Sequence, residues 1–382
     1  MNILFLDQYS EIGGAQLCLL DLLPAIDYLG WRVHVAVPGH GPLIKRLRSQ
    51  DVTVHPITCG PYRSGEKNAR DFAKFLLDVP RQARAVSKLV KSARIELIYV
   101  NGPRLLPATA LAAGRRVPVL FHAHNYIGEN SAARALAWSI RHSGATVVAC
   151  SNSVAAPLRP FAPAPRLHVI ANGASDQGFR ERSFDAGQTC RIGIIGRIAP
   201  EKGQIDFLRA ARFLAHSFPA ARFVVCGAPV SAAPGYFEEV RRAGEGLPVD
   251  FLGWRDDVAE VLTGLDLLLM PSKQEGLPRV LLEAFSAGVP AIAFPAGGIV
   301  EAIDDGVTGF LVPEGTPDAL AARVSELLME PTRLRAAARN ARRMWERCYR
   351  VEIYRERITR LLEDLAFSRE AMRETELPLS RR

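Results

Sequence analysis

The sequence predicts an α/β protein of two tandem domains, each a doubly wound parallel sheet. Three observations carry this expectation. At 382 residues the chain exceeds the size at which a single core keeps growing, so two domains of roughly 150 to 200 residues are expected. Short apolar runs alternate with longer stretches of helical period from one end to the other, the pattern of parallel strands joined by crossover helices. Between two such series, Ala171 to Cys190 is rich in Gly, Ser, Asp and Gln and has little apolar periodicity, which reads as a linker.

In the first series the expected strands are Ile3–Asp7, Val33–Val37, Thr53–Ile57, Leu97–Val100, Val117–Phe121, Thr146–Cys150 and Leu167–Ile170. The second series runs Arg191–Gly196, Arg222–Cys226, Val249–Leu252, Asp266–Met270, Ala291–Phe294 and Phe310–Val312. The domains then fall at 1–172 and 191–345, with a linker at 173–190 and a helical segment at 346–382. After Pro317 the chain turns helical and arginine-rich, and Trp345, Tyr349, Ile353 and Ile358 have the spacing of one buried stripe, so a C-terminal helix should pack back on the rest of the protein. The last dozen residues read as frayed.

Composition narrows the classes. Hydrophobic residues make up 48% and charged residues 23%, and no uncharged apolar stretch is long enough to span a bilayer. The N-terminal run ends in Asp7 with no basic leader before it, so the expected location is the cytoplasm. Six scattered cysteines form no Cys-x-x-Cys pair and no Cys/His cluster, against a disulfide framework or a zinc site. A net charge of +8 favours anionic partners, while 8% aromatic content and the lack of a nucleic-acid-binding pattern argue against nucleic acid.

Three segments carry chemistry. After the first strand, Gly13-Gly14-Ala15-Gln16 opens a helix, where backbone N–H groups can approach a phosphate. Its spacing is neither that of a dinucleotide fingerprint nor that of a P-loop, and a plain tight turn is an equal reading. In the second half, Gly196-Arg197 and Lys202-Gly203 put two cations at the carboxyl edge of a parallel sheet, where a diphosphate would sit. The segment Glu275-Gly276-Leu277-Pro278-Arg279-Val280-Leu281-Leu282-Glu283 is the most specific. Pro278 suits the first turn of a helix, Gly276 and Leu277 lead into N–H groups able to hold phosphate, and Glu283 sits among apolar neighbours, where ribose hydroxyls would satisfy it.

These motifs together resemble the retaining glycosyltransferases of family 4, which have the GT-B fold: two Rossmann-like domains facing a central cleft. Glu275 and Glu283 match the family's Glu-x7-Glu signature, Arg197 and Lys202 its diphosphate loop, and Gly13-Gly14 its first-domain glycine loop. Pro290, Gly297-Gly298-Ile299, Glu301 and Gly306-Val307-Thr308-Gly309 continue the match. The resemblance implies that Arg197, Lys202, Gly14, Gly276 and Leu277 hold the donor diphosphate and Glu283 the ribose. Glu275 would lie near the transferred sugar, and Gly253-Trp254 mark the nucleobase region.

Of His122 and His124, at the end of one strand, the family pattern selects His124 for a role at the donor sugar. The junction reads Ala171-Asn172-Gly173 where the family has Pro-Asn-Gly. No Asp-x-Asp pair occurs, so no metal or other cofactor is expected, and the diphosphate charge falls to cations and helix N-termini.

The expected activity is transfer of a sugar from a nucleotide diphosphate sugar to a glycan or lipid-linked acceptor in polysaccharide or glycoconjugate assembly. The competing readings are a nucleotide-sugar epimerase of the same fold, which would need a further acid/base pair, and a non-catalytic nucleotide-sugar-binding partner of a transferase. From Arg81 to Arg94 one helical face carries Arg81, Arg84, Lys88 and Lys91 and another Val86, Leu89, Val90 and Ala93. This suits either a helix resting on the inner face of a membrane or an ordinary solvated surface.

Overall fold

The computed structural model describes residues 1–50, 52–60, 69–127, 131–184, 189–229, 233 and 235–376. The chain divides into two compact units, Met1–Ala171 with Glu352–Arg382, and Asn172–Val351. Each is built on one parallel sheet with helical crossovers.

The first unit contains β1 (Asn2–Asp7), β2 (Arg32–Val37), β3 (Thr53–Pro56), β4 (Leu97–Asn101), β5 (Val119–Ala123), β6 (Thr146–Ala149) and β7 (Leu167–Val169). They lie in the order β3-β2-β1-β4-β5-β6-β7. The order reverses between β1 and β4, which makes their carboxyl ends a topological switch point. Ile3, Leu4, Phe5 and Leu6 are all fully buried, as a strand covered on both faces requires, and this explains the unbroken apolar run. Each such side chain contributes about 1.5–3 kcal/mol by leaving water.

The second unit contains β8 (Arg191–Ile195), β9 (Arg222–Cys226), β10 (Val249–Gly253), β11 (Leu267–Met270), β12 (Ala291–Ala293) and β13 (Phe310–Leu311). Their order is β10-β9-β8-β11-β12-β13, with the switch point between β8 and β11. Every expected strand is present, and all pair in parallel.

Two expectations about the chain between and after the sheets meet a different structure. Residues 173–190, read as a linker, lie within the second unit. Ala174 exchanges backbone hydrogen bonds with Tyr349 and Val351, and Arg182 is buried; residues 185–188 of this stretch lie outside the described residues. The expected single stripe is also divided. Trp345 and Tyr349 are buried in a π-helical turn of the second unit, where the Trp345 indole donates to the Ala174 carbonyl at 3.1 Å. Arg350 is then extended, and a new helix, Val351–Glu376, begins. Its Tyr354, Ile358, Leu361 and Leu362 join the core of the first unit beside Cys18, Leu22 and Ile26. The C-terminal helix therefore does pack on the first domain, but Trp345 and Tyr349 are no part of it. Of the terminal residues read as frayed, 377–382 lie outside the described residues.

Candidate active site

In the second unit the cations follow from the strand that carries them. β8 ends at Ile195, and the chain turns through Arg197 to a short 3-10 turn, Pro200–Lys202. Gly203 then opens the helix Gln204–Ser217 at φ +73°. A side chain there would meet the Pro271 carbonyl oxygen at 2.1 Å, so only glycine lets the loop lie this close to the end of β11.

That closeness brings Lys202 Nζ to 2.6 Å from Glu275 Oε1. Glu275 is buried, and the Lys202 side chain is 20% exposed. Arg197 is more open, at 43%, and its nearest carboxylate is Glu201 at 3.6 Å. Gly297, at φ +52°, packs against the Glu275 backbone so tightly that an added Cβ would lie 1.9 Å from the Glu275 carbonyl oxygen. The glycine turn after β12 thus fixes where Glu275 sits.

The helix expected to begin with Pro278 in its first turn spans Arg279–Ala287, with Pro278 extended just before it as the N-cap. Proline fits here as well, because its ring sets φ near −71° and no N–H is needed. The first helical N–H groups have no intrahelical acceptors and lie just past Gly276 and Leu277. Asn172 supports this loop, donating to the Leu277 carbonyl at 2.9 Å.

Glu283 is buried, as its apolar neighbours imply, and faces Arg279, one turn earlier, at 3.5 Å. The sequence reading gave Arg279 no role; the i, i+4 spacing of opposite charges on one helix was the available signal. Trp254 is 43% exposed beyond the end of β10, its indole donating to Asp256 at 3.2 Å, and Gly253 has φ +65°.

In the first unit the carboxyl edge of β1, β4 and β5 carries one buried polar network. Asp7, fully buried, accepts the Tyr9 N–H at 2.9 Å and the Gln16 amide at 2.8 Å on Oδ1, and the Asn101 amide at 2.6 Å on Oδ2. Asn101 Oδ1 lies 2.7 Å from His124 Nε2. Gln16 also accepts the Gly13 N–H at 3.1 Å, which ties the glycine loop and the helix Gly14–Tyr28 to the same network. Burial outweighs these donors and pushes the Asp7 carboxyl up to about 6. His122 lies deeper, hydrogen-bonded through Nδ1 to the Tyr99 hydroxyl, with its ring 3.9 Å from that of His124. Burial and the neighbouring His124 hold His122 well below the usual imidazole range, so it is a neutral core residue. In the sequence Gln16 stood only as part of the glycine loop and Asp7 only as the end of a strand, and Asn101 was not singled out.

The basic helix extends over Ala69–Ser92. Arg81, Arg84, Lys88 and Lys91 are exposed, while Val86 is buried and the helix packs on Leu106–Ala113. Its apolar face is used inside the first unit, so that face is not available to enter a bilayer, and only the basic stripe remains. No helix of the described residues is long and apolar enough to cross a membrane.

Two doubly wound parallel sheets, one with paired cations, close-packed glycines and a helix N-terminus at its switch point, define a tandem Rossmann-like protein able to hold a nucleotide diphosphate. Comparison with known proteins agrees. Residues 12–177 match the family described as Glycosyltransferase Family 4, and residues 189–330 the one described as Glycosyl transferases group 1.

The HepE protein of Anabaena, solved with UDP and glucose, superposes with a TM-score of 0.79 at 25% identity, over 95% of this chain and 100% of that one. A D-inositol 3-phosphate glycosyltransferase of Corynebacterium urealyticum is 30% identical over 216 residues, 50% of this chain and 51% of the relative. The Vi polysaccharide biosynthesis protein VipC/TviE of Salmonella typhi is 37% identical over 145 residues, 36% of this chain and 23% of the relative. The chain spans about half the length of the first of these curated relatives and about a quarter of the second. Two glycosyltransferase family models thus cover its two halves, and its fold is GT-B.

Proposed function

We propose that this chain is a retaining glycosyltransferase that needs no metal ion and moves a sugar from a nucleotide diphosphate sugar to a glycan or lipid-linked acceptor in polysaccharide assembly. The observation that carries the reading is the switch point of the second sheet, where Lys202, held 2.6 Å from buried Glu275, stands beside the N-terminus of the Arg279–Ala287 helix. Charge developing on the departing diphosphate would be met by Lys202, Arg197 and the N–H groups beyond Gly276 and Leu277, with no reorganisation at the moment of reaction. Glu283, oriented by Arg279, would accept both ribose hydroxyls.

In the reaction the bond from the anomeric carbon to the diphosphate oxygen breaks, and its electron pair leaves with the diphosphate. The acceptor oxygen bonds the anomeric carbon on the same face, and its proton passes to the departing diphosphate. Glu275 and His124 are assigned to the transferred sugar. HepE, crystallised with UDP-glucose, makes a UDP-sugar the first donor to try, and the name of the Salmonella relative suggests a polysaccharide product. The stripe Arg81, Arg84, Lys88 and Lys91 would draw the protein towards an anionic surface carrying a lipid-linked acceptor.

A thermal-shift screen against UDP-, GDP-, ADP- and dTDP-sugars tests the donor, and NMR of the product tests the anomeric configuration. Stabilisation by one donor class and a retained configuration are expected. Indifference to all four donors would sink the donor assignment, and an inverted product would sink the retaining mechanism.

A further inference from the structure

We propose that Asp7 and Asn101 are positioning residues that set the tautomer of His124, placing its proton on Nε2 and leaving Nδ1 as the acceptor of the neutral ring. The inference concerns the first unit alone. Its consequence for turnover rests on the role assigned to His124 above.

The argument is one of donors and acceptors. Asp7 Oδ1 receives the Tyr9 backbone N–H, a donor that cannot be exchanged for an acceptor. Gln16 is oriented by the Gly13 N–H on its oxygen, so its nitrogen also faces Asp7. The Asn101 amide donates to Asp7 Oδ2 at 2.6 Å and to the Ala15 carbonyl at 3.1 Å, which leaves only its oxygen for His124. At 2.7 Å that oxygen requires a proton on Nε2. The backbone at Tyr9, Gly13 and Ala15 therefore dictates, through Asp7 and Asn101, which nitrogen of a histidine two strands away carries hydrogen. A neutral ring so fixed takes a hydroxyl donor at Nδ1, the group a sugar offers.

Asp7→Asn reverses the logic. The oxygen of the new amide must answer Tyr9 and Gln16, so its nitrogen meets the Asn101 nitrogen. A donor–donor contact at the 2.6 Å spacing outweighs the longer 3.1 Å bond to the Ala15 carbonyl, so Asn101 turns over at the expense of that bond, presents its own nitrogen to His124 and moves the ring proton to Nδ1. Asn101→Asp keeps an acceptor opposite Nε2 and should preserve the original tautomer, with one proton shared between the two carboxyls.

The test is long-range 15N–1H NMR of the full chain labelled at histidine, near pH 8, with His124 assigned by the loss of its signals in His124→Gln. The expected result is an Nε2–H pattern in the unaltered protein and in Asn101→Asp, and an Nδ1–H pattern in Asp7→Asn. An Nδ1–H pattern in the unaltered protein would overturn the proposal whether or not any variant folds. So would an unchanged tautomer in a folded Asp7→Asn protein. In the transfer assay Asp7→Asn should lower kcat/KM about 10- to 100-fold, by analogy with the partners that orient metal-bound histidines. A reversed tautomer with unchanged turnover would uphold the positioning and dismiss His124 from the reaction, so the two ideas fail separately.

Discussion

Gly297→Ala isolates the geometry on which the proposed donor site depends. At φ +52° the substitution places an alanine in the left-handed region, at a cost of about 1–2 kcal/mol. Its Cβ would also lie 1.9 Å from the Glu275 carbonyl oxygen, where real contacts begin at 3.0 Å, so the two backbones must separate by 3.0 − 1.9 = 1.1 Å. Glu275 carries Lys202 on its carboxylate, and the pair moves together. A displacement of about 1 Å at a reacting group costs on the order of 10²-fold in rate.

The control is Gly306→Ala, whose backbone is equally left-handed at φ +76° but whose Cβ meets no heavy atom of the described residues within 4 Å. Both variants should lose about 2–8 °C of melting temperature to the shared backbone strain, at 2–4 °C per kcal/mol for a unit of this size. Only Gly297→Ala should lose donor turnover, by about 10²-fold. The measurement is kcat/KM for the donor beside a thermal melt of each protein. Equal kcat/KM for the two variants would refute the claim that Gly297 sets the position of Glu275.

Lys202→Ala and Glu283→Ala are expected to abolish UDP-sugar binding and turnover together. Glu283→Ala should also destabilise the fold by about 3–5 kcal/mol, because buried Arg279 loses its partner carboxylate; calorimetric titration with unaltered affinity would remove the donor-site assignment. Arg182→Ala strips donors from the Leu262, Leu265 and Ala287 carbonyls, each bonded at 2.9 Å, and should cost more than about 3 kcal/mol by chemical denaturation. Arg182→Lys should not rescue it, since a single ammonium cannot reach three carbonyls as the planar fork does.

Activity should survive EDTA, and loss with chelator followed by recovery with a divalent ion would contradict metal independence. Asp7 sets a stability trend with pH: its carboxyl rises from 3.8 to about 6 on folding, so the folded state binds the proton more tightly. Its contribution is greatest below 3.8 and is lost as pH rises through 6, about 2.2 × 1.36, or ~3 kcal/mol. Cys59 and Tyr99, the titratable neighbours that sense Asp7, are pushed up by burial and stay neutral in that window. The stability difference between the native protein and Asp7→Asn should therefore grow in favour of the native protein on acidification from pH 7.5 to 4. A difference that does not change with pH would show that Asp7 does not titrate there.

The sheets were legible because parallel strands covered on both faces must be apolar throughout, as Leu267–Met270 shows. Errors came where a polar residue is buried by a partner distant in sequence. β5 was expected at Val117–Phe121 and lies at Val119–Ala123, because His122 continues the strand with its ring nitrogen satisfied by Tyr99. The C-terminal stripe failed for a different reason: periodicity continues through Arg350, whose extended backbone separates Trp345 and Tyr349 from Ile358. At the second switch point, burial of Glu283 could be inferred from Leu282 and Ala284, and Arg279 lay one turn away on the same helix. The donor-site motif is local, and local spacing is what a sequence displays.

The network around His124 is the opposite case. Asp7 is Cα partner to Asn101 across β1 and β4, and Asn101 is partner to His122 across β4 and β5, two residues before His124. Three residues scattered over the first 124 positions thus end at one level of three adjacent strands, for no reason other than sheet order and register. An acid closing an apolar run reads as the end of a strand until its neighbour is known. Its hydrogen bonds follow from the order 2-1-4-5, so a substitution that slipped β4 by one residue against β1 would disconnect Asp7 from His124 without altering any of the three side chains.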